Sequence, residues 1–148
     1  MTRDLQINRM QRALYCLRRF SGLGMRELGD KLGVTKQSIS NWETGRAPLQ
    51  RLHYMGIMLV LQIHVSKSPD TSQLIRYTLG LVADDSITES VFDSAIDKLR
   101  LVACQKTYSD MMAVAVSIIG DNAAHPTYML PPIDLNGDFY RWVSMVMA

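Results

Sequence analysis

Four polar residues in the first half of the sequence have the types and spacing needed to contact the edges of nucleic acid bases. Steps of one and four residues place them on one face of a helix: Lys36, Gln37, Ser40 and Asn41. Each side chain donates or accepts hydrogen bonds, and Gln37 is the best candidate because a carboxamide pairs with N6 and N7 of adenine together. The pattern predicts a polar, outward helix face that reads bases.

A second helix must hold this face in place. Five apolar positions are spaced to pack a helix over residues 25–32 against one over residues 36–43 across a three-residue turn. They are Leu28, Leu32, Val34, Ile39 and Trp42. Gly29 lies where the two helices approach most closely, so a larger side chain there would push them apart. Gly33 supplies the positive φ that such a turn usually needs.

The motif around these helices resembles the Cro/repressor (Xre) family of helix-turn-helix regulators over about residues 5–64. The matching positions are Leu28, Gly33-Val34-Thr35, Ile39-Ser40, Trp42-Glu43, Gly45 and Pro48. The resemblance implies a five-helix domain like that of lambda repressor, whose third helix enters the major groove of double-stranded DNA. It also implies a dimer on a two-fold symmetric operator.

Carried over by position, the resemblance assigns base contacts to Lys36, Gln37 and Asn41, with Ser40 beside them. It assigns phosphate contacts to Thr35, Ser38 and Arg46, together with the backbone N–H groups around Gly45. The family often places a hydroxyl cap and then Gln at the start of the second helix, where this sequence has Gly24 and Met25. Arg26 is expected to replace that phosphate contact in part, and Arg19 of the first helix completes the phosphate set.

Apolar periodicity and capping residues predict helices along most of the chain. The first runs over residues 3–20 with Thr2 as N-cap, and its apolar face comprises Met10, Ala13, Leu14, Leu17 and Phe20. Thr35 caps the helix over residues 36–43, and Pro48 stands at the first position of a helix over residues 49–64. Arg9, Arg12 and Arg19 lie away from the apolar face of the first helix.

The second half also has helical periodicity. We predict helices over residues 71–83, 87–105, 108–119 and 138–147, with an extended loop over residues 120–132. Ser86 with Glu89 and Thr107 with Asp110 are the expected capping boxes. The core stripe of the helix at residues 87–105 is Phe92, Ile96, Leu99 and Val102 or Ala103. No alternating strand is evident, so the predicted fold class is all-α.

The charge of the chain divides it near residue 69. The net charge is +2, but residues 1–69 hold eleven basic and four acidic residues (+7), whereas residues 70–148 hold five basic and ten acidic residues (−5). A basic segment suits a surface that meets phosphates. We therefore predict a helix-turn-helix DNA-binding domain at residues 1–69 and a helical domain for oligomerisation or partner binding at residues 70–148.

Several classes of site have no support in the sequence. The histidines are scattered, Cys16 and Cys104 form no metal-ligand pair, and phosphate-loop and nucleophile-elbow motifs are absent, so we expect no metal, no cofactor and no enzyme activity. The cysteine usage favours a reducing cytoplasm. Residues 1–11 do not have the apolar stretch of a leader, and the longest apolar run, residues 55–63, is too short to span a membrane.

These observations predict a cytoplasmic, phage-type or bacterial transcription regulator, repressor or activator, that oligomerises through residues 70–148. Limited cores in the two segments and the apolar residues near the C-terminus favour a subunit interface. The alternative is an antitoxin-like interaction protein whose second domain binds a partner protein while the first regulates its own operon. An enzyme delivered by DNA binding is the third and weakest possibility.

Overall fold

The computed structural model describes residues 2–67 and 72–120, and this part of the chain contains helices but no strand. The helices are α1 (Arg3–Phe20), α2 (Met25–Leu32), α3 (Lys36–Glu43), α4 (Arg51–Lys67), α5 (Ser72–Ala83), α6 (Glu89–Ala103) and α7 (Tyr108–Ile119). The all-α prediction is confirmed over these residues. The closing helix predicted at residues 138–147, and the loop predicted beyond Gly120, lie outside the described residues.

The first helix is central to the packing, because α1 contacts α3, α4, α5 and α6. Thr2 caps it as expected, its hydroxyl accepting from the backbone N–H of Leu5 at 3.2 Å. The five residues predicted for its apolar face, Met10, Ala13, Leu14, Leu17 and Phe20, are all at most 1% exposed. Removing each larger side chain from water contributes about 1.5–3 kcal/mol, so this face is a main source of stability.

Two arginines of α1 hold the helix to the second half of the chain. Arg9 lies outside the apolar stripe, yet it is only 2% exposed. Its guanidinium donates to Glu89 Oε1 at 2.7 Å and to the backbone carbonyls of Leu81, Asp84 and Ile87. Arg12 pairs with Glu89 and Asp93. Part of the positive charge of residues 1–69 is therefore neutralised inside the fold by acidic residues of the second half.

The start of α6 differs from the prediction. The N-cap is Thr88, whose hydroxyl accepts from the N–H of Val91 at 3.2 Å, and Ser86 does not cap the helix. The Ser86 hydroxyl and backbone N–H both donate to Asp84 Oδ1, a local turn that leaves the capping position to Thr88. The predicted core stripe of α6 is fully buried, and Thr107 caps α7 by accepting from Asp110 N–H.

The fourth helix begins and ends later than expected, at Arg51 and Lys67 rather than at residues 49 and 64. Pro48 therefore lies in the connection before the helix. Leu49 is 6% exposed and its backbone N–H donates to Gln11 Oε1 at 2.9 Å, so this residue is tied to α1 instead of starting α4.

The buried side chains from both halves form one cluster. Its members come from α1, α2, α3 and α4 as well as from α5, α6 and α7. The division at residue 69 is therefore a change of charge along the sequence, while the packing of the described residues crosses it. The assignment of residues 1–69 and 70–148 to two domains stays a prediction.

Candidate nucleic-acid interface

The turn between α2 and α3 has the close geometry that the glycines predict. A Cβ atom on Gly29 would lie 2.7 Å from the carbonyl oxygen of Val34, which is nearer than real Cβ contacts come. The N–H of Val34 donates back to the carbonyl of Gly29 at 2.9 Å, and Gly33 between them has φ +72°. Only a residue without a side chain fits position 29, and glycine takes the left-handed conformation at position 33 without strain.

The inner face of α3 is anchored in the core. Ile39 and Trp42 are 0% and 5% exposed, and Leu28 of α2 is 2% exposed. Leu32 and Val34 pack against the same cluster while staying partly accessible. The five apolar positions predicted to join the two helices therefore do so, and α3 is left with a polar outer face.

The four predicted base-reading residues share that outer face. Lys36 and Gln37 are exposed, and Ser40 and Asn41 are half-buried. Gln37 Nε2 donates a hydrogen bond to Asn41 Oδ1 at 3.0 Å, which links the side chains of successive helical turns. The arrangement offers an ammonium group, two carboxamides and a hydroxyl to a ligand that approaches α3 from outside.

Thr35 and Ser38, predicted to contact phosphates, lie at the N-terminus of α3 and contact each other. Thr35 Oγ1 accepts from the backbone N–H of Ser38 at 3.1 Å and lies 3.1 Å from the Ser38 hydroxyl. Thr35 is exposed and is also the N-cap of α3. Both hydroxyls thus stand at the positive end of the α3 dipole, where an anion is favoured.

The connection after α3 corrects one part of the expected phosphate set. The N–H groups of Gly45 and Arg46 donate to the carbonyls of Trp42 and Asn41, at 3.2 and 2.8 Å. These bonds close the C-terminus of α3, so the backbone donors predicted for phosphate around Gly45 are already used. The side chain of Arg46 is exposed in this connection, and its contact with phosphate stays a prediction.

The other two predicted phosphate residues have different surroundings. Arg26 is exposed in the first turn of α2, where the Glu27 carboxylate accepts from the backbone N–H of Gly24 at 3.3 Å. Arg19 donates to the carbonyls of Ala103 and Gln105, at 2.9 and 2.8 Å. Its guanidinium is therefore engaged with the end of α6, and Arg19 is not included in the candidate interface.

A residue that the sequence analysis did not single out positions the connection after α3. Gln11 Nε2 donates to the carbonyls of Trp42 and Ala47, at 3.1 and 2.8 Å, and Gln11 Oε1 accepts from the N–H of Leu49 at 2.9 Å. One carboxamide on α1 therefore satisfies three backbone groups in the segment that carries Arg46. No local pattern marks Gln11, because its partners lie 31 to 38 residues away.

An ion pair also holds α3 to α1. The Arg18 guanidinium makes two bonds to the Glu43 carboxylate, at 2.9 and 3.0 Å, with side chains 8% and 5% exposed. On the other side of this region, the Trp42 ring contacts the His53 ring of α4, with centroids 4.7 Å apart. Burial lowers the pKa of His53, so its neutral form is favoured beside Trp42. α3 is thus a rigidly supported helix.

Metal binding, thiol reactivity and membrane insertion each have their own structural requirements. The described part of the chain has no group of three or more His, Cys, Asp or Glu side chains placed to hold a metal ion. Burial raises the pKa of the Cys16 thiol to about 12, which disfavours the thiolate that a nucleophile needs. None of the helices seen in residues 2–67 and 72–120 has the length and apolar character needed to cross a membrane.

Comparison with known proteins agrees with this geometry. Residues 21–52 match a helix-turn-helix family model of the Cro/C1 type, which covers α2, the turn, α3 and the start of α4. No curated protein and no solved structure matches the chain. The chain therefore contains a Cro/C1-type helix-turn-helix, as the resemblance implied, and helix-turn-helix segments of this type are typical of DNA-binding transcriptional regulators.

Proposed function

We propose that this chain is a sequence-specific transcriptional regulator that inserts α3 into the major groove of double-stranded DNA. The observation that carries the proposal is the outer face of α3, where Lys36, Gln37, Ser40 and Asn41 stand over a buried inner face. This face lies within the segment that matches the helix-turn-helix family model. Contact with base edges in the major groove uses hydrogen-bond donors and acceptors held in a fixed orientation by the helix.

Phosphate contacts would fix the orientation of the domain on the duplex. Thr35 and Ser38 lie at the N-terminus of α3, and Arg46 follows its C-terminus, so the candidate contacts flank the base-reading face. Arg26 adds a positive charge in the first turn of α2. Because such contacts release counterions, binding is expected to weaken steeply as the salt concentration rises.

The proposal includes a dimer or higher oligomer on a symmetric operator, assembled through residues 70–148. Two copies of α3 about 34 Å apart would enter successive major grooves on one side of the DNA. Occupancy of the operator would then block or recruit polymerase in the cytoplasm, as in a phage-type repressor or activator. The proposal assigns no catalytic step, metal or cofactor to the chain.

Selection of bound fragments from genomic and random DNA by the intact chain tests this function. Recovery of an inverted repeat, with light scattering showing at least a dimer, is the expected result. Recovery of a single half-site by a monomer would keep DNA recognition and remove the symmetric assembly. Failure to select any sequence would overturn the proposal and favour partner binding of the antitoxin-like kind.

A further inference from the structure

We infer that Asn41 positions Gln37 for an adenine, and that these two side chains act as one unit in DNA recognition. The inference rests on the proposed function and goes further by naming the residue that orients the adenine reader. The sequence analysis treats Gln37 and Asn41 as separate base contacts. The structure instead joins them by the 3.0 Å hydrogen bond from Gln37 Nε2 to Asn41 Oδ1.

The chemistry of the carboxamide explains why this bond matters for adenine. A primary amide has two N–H groups and one carbonyl oxygen. One N–H of Gln37 is donated to Asn41, and the second N–H and Oε1 stay available. Adenine presents an acceptor at N7 and a donor at N6, so this remaining pair is the one that a bidentate contact needs.

The bond to Asn41 restricts the Gln37 amide, whose nitrogen faces Asn41 Oδ1. The exposed side chain of Gln37 has several rotatable bonds, so a free glutamine would lose rotamer entropy on binding a base. A partner that restricts it beforehand reduces that loss and favours one base.

Asn41 is suited to this role because its own backbone is held firmly. Its carbonyl accepts from the N–H groups of Arg46 and Ala47, at 2.8 and 3.3 Å, and its side chain is half-buried. The neighbouring Trp42 is packed in the core at 5% exposure. Asn41 therefore lies on a fixed turn of α3, whereas Gln37 lies one turn earlier on the open face.

A double-mutant cycle in the full chain tests the coupling. The variants are Gln37→Ala, Asn41→Ala, the double variant and, as a control outside the helix-turn-helix, Arg76→Ala on the exposed side of α5. Selection from random DNA gives the base preference at each operator position. Gln37→Ala should reduce discrimination for one adenine by about 5- to 150-fold, which is the range for a lost bidentate pair.

Asn41→Ala should reduce discrimination for the same adenine by about twofold or more. Twofold corresponds to about the lower end of the interaction energies found between residues in contact. The double variant should lose no more than Gln37→Ala alone, and Arg76→Ala should keep the preference for that adenine. Asn41→Asp retains an acceptor for Gln37 but adds a negative charge. It should bind all DNA more weakly while keeping the same adenine preference, which separates positioning from a general loss of structure.

Three results would overturn the inference. Asn41→Ala could alter preference at a different base pair, with effects that multiply in the double variant, which would make Asn41 an independent reader. It could leave every preference unchanged, which would remove Asn41 from recognition. If the unmodified chain selects no sequence, the proposed function itself fails, so that failure is distinguishable from the first two.

Discussion

Gln37 and Arg46 are both exposed, and at the scale of single residues they should contribute to DNA binding in different ways. Arg46→Ala removes a charge that would meet phosphate, so all sequences should bind more weakly and the slope of log K against log salt should fall by about 1. Gln37→Ala should cost roughly 1–3 kcal/mol at one or two base pairs and leave the salt slope unchanged.

Binding titrations on the selected operator and on random DNA, at several salt concentrations, measure both effects. Arg76→Ala is the matched control, because it removes an exposed positive charge from α5, outside the helix-turn-helix. It should change neither slope nor preference. Equal losses on operator and random DNA for Gln37→Ala would contradict its assignment as a base reader.

Gly29 makes a second prediction at the residue scale. Gly29→Ala adds a methyl group that would meet the Val34 carbonyl at 2.7 Å, and the backbone of the turn cannot move without shifting α3. Overpacking of this kind costs about 1–3 kcal/mol, which exceeds the gain of at most about 1 kcal/mol from replacing a helical glycine by alanine. Thermal unfolding should therefore occur at a lower temperature.

Gly24→Ala is the control for that experiment. Its added Cβ would lie 3.3 Å from the end of the flexible Glu27 side chain, which can move aside. The exposed bond from the Gly24 N–H to Glu27 would weaken, so the unfolding temperature should fall by less than that of Gly29→Ala. An unchanged or higher unfolding temperature for Gly29→Ala would show that the α2–α3 turn is looser than its geometry indicates.

At the scale of elements, Gln11 connects α1 to the segment between α3 and α4. Gln11→Ala would leave the carbonyls of Trp42 and Ala47 and the N–H of Leu49 without this partner. Leaving partly buried polar groups unsatisfied costs about 1–3 kcal/mol, so the free energy of unfolding in urea should fall by that amount.

Gln11→Ala should also weaken DNA binding, because it displaces Arg46. When Arg46 is already alanine, adding Gln11→Ala should therefore cause no further loss of binding. Asn8→Ala, an exposed change one turn earlier on α1, should affect neither property. Binding losses that add in the double variant would mean that Gln11 acts elsewhere than through Arg46.

The contact between α1 and α6 should depend on acid pH through Glu89. Burial raises the pKa of this carboxyl, but hydrogen bonds from Arg12 and Arg9 lower it. The result is a pKa below the ordinary value of 4.5. Because the folded state holds the proton less tightly, ionised Glu89 contributes its full stabilisation above pH 4.5. This stabilisation is lost as the pH falls through the lowered pKa.

Glu89→Gln should lower the free energy of unfolding by about 1 kcal/mol at pH 7, as for a partly exposed ion pair, and the difference should shrink below pH 4.5. Urea unfolding between pH 3 and 7 measures it. The control is Asp97→Asn, which alters the exposed pair with Arg100 and should have little effect. A constant difference across this range would exclude the ion pair as its cause.

At the scale of the whole molecule, the shared core predicts that the described halves unfold together. Arg9 is 2% exposed and its partners lie on residues 81–89, so a fragment of residues 1–69 would leave this charge without them. In the fragment this charge would be solvated, so the main cost is exposure of the apolar face of α1 that packs against α5 and α6.

The fragment is therefore expected to lose cooperative unfolding, whereas the intact chain should show one transition by both circular dichroism and tryptophan fluorescence. A fragment that unfolds cooperatively at the temperature of the intact chain would establish two independent domains. It would also support the division at residue 69 that the charge pattern suggests.

Local features of the fold and site were predictable because they depend on neighbours within one or two turns. The caps at Thr2, Thr35 and Thr107 and the buried stripe of α6 follow from side chains three or four residues apart. Gly29 and Gly33 in the α2–α3 turn were predictable for the same reason, because the residues that they contact are close in sequence. At the start of α6 the cap predicted at Ser86 was wrong, because the turn that Ser86 makes with Asp84 leaves the capping position to Thr88.

By itself, the sequence determined an all-helical fold for the described residues, with a Cro/C1-type helix-turn-helix and a polar outer face on α3. Only the tertiary structure decided which charged and polar groups stay available to a ligand. Arg9, Arg18 and Gln11 find their partners 25 to 80 residues away, at distances where periodicity carries no information. Their partners depend on how α1 packs against α3 and α6, because a buried charge or amide is stable only where that packing supplies its hydrogen bonds.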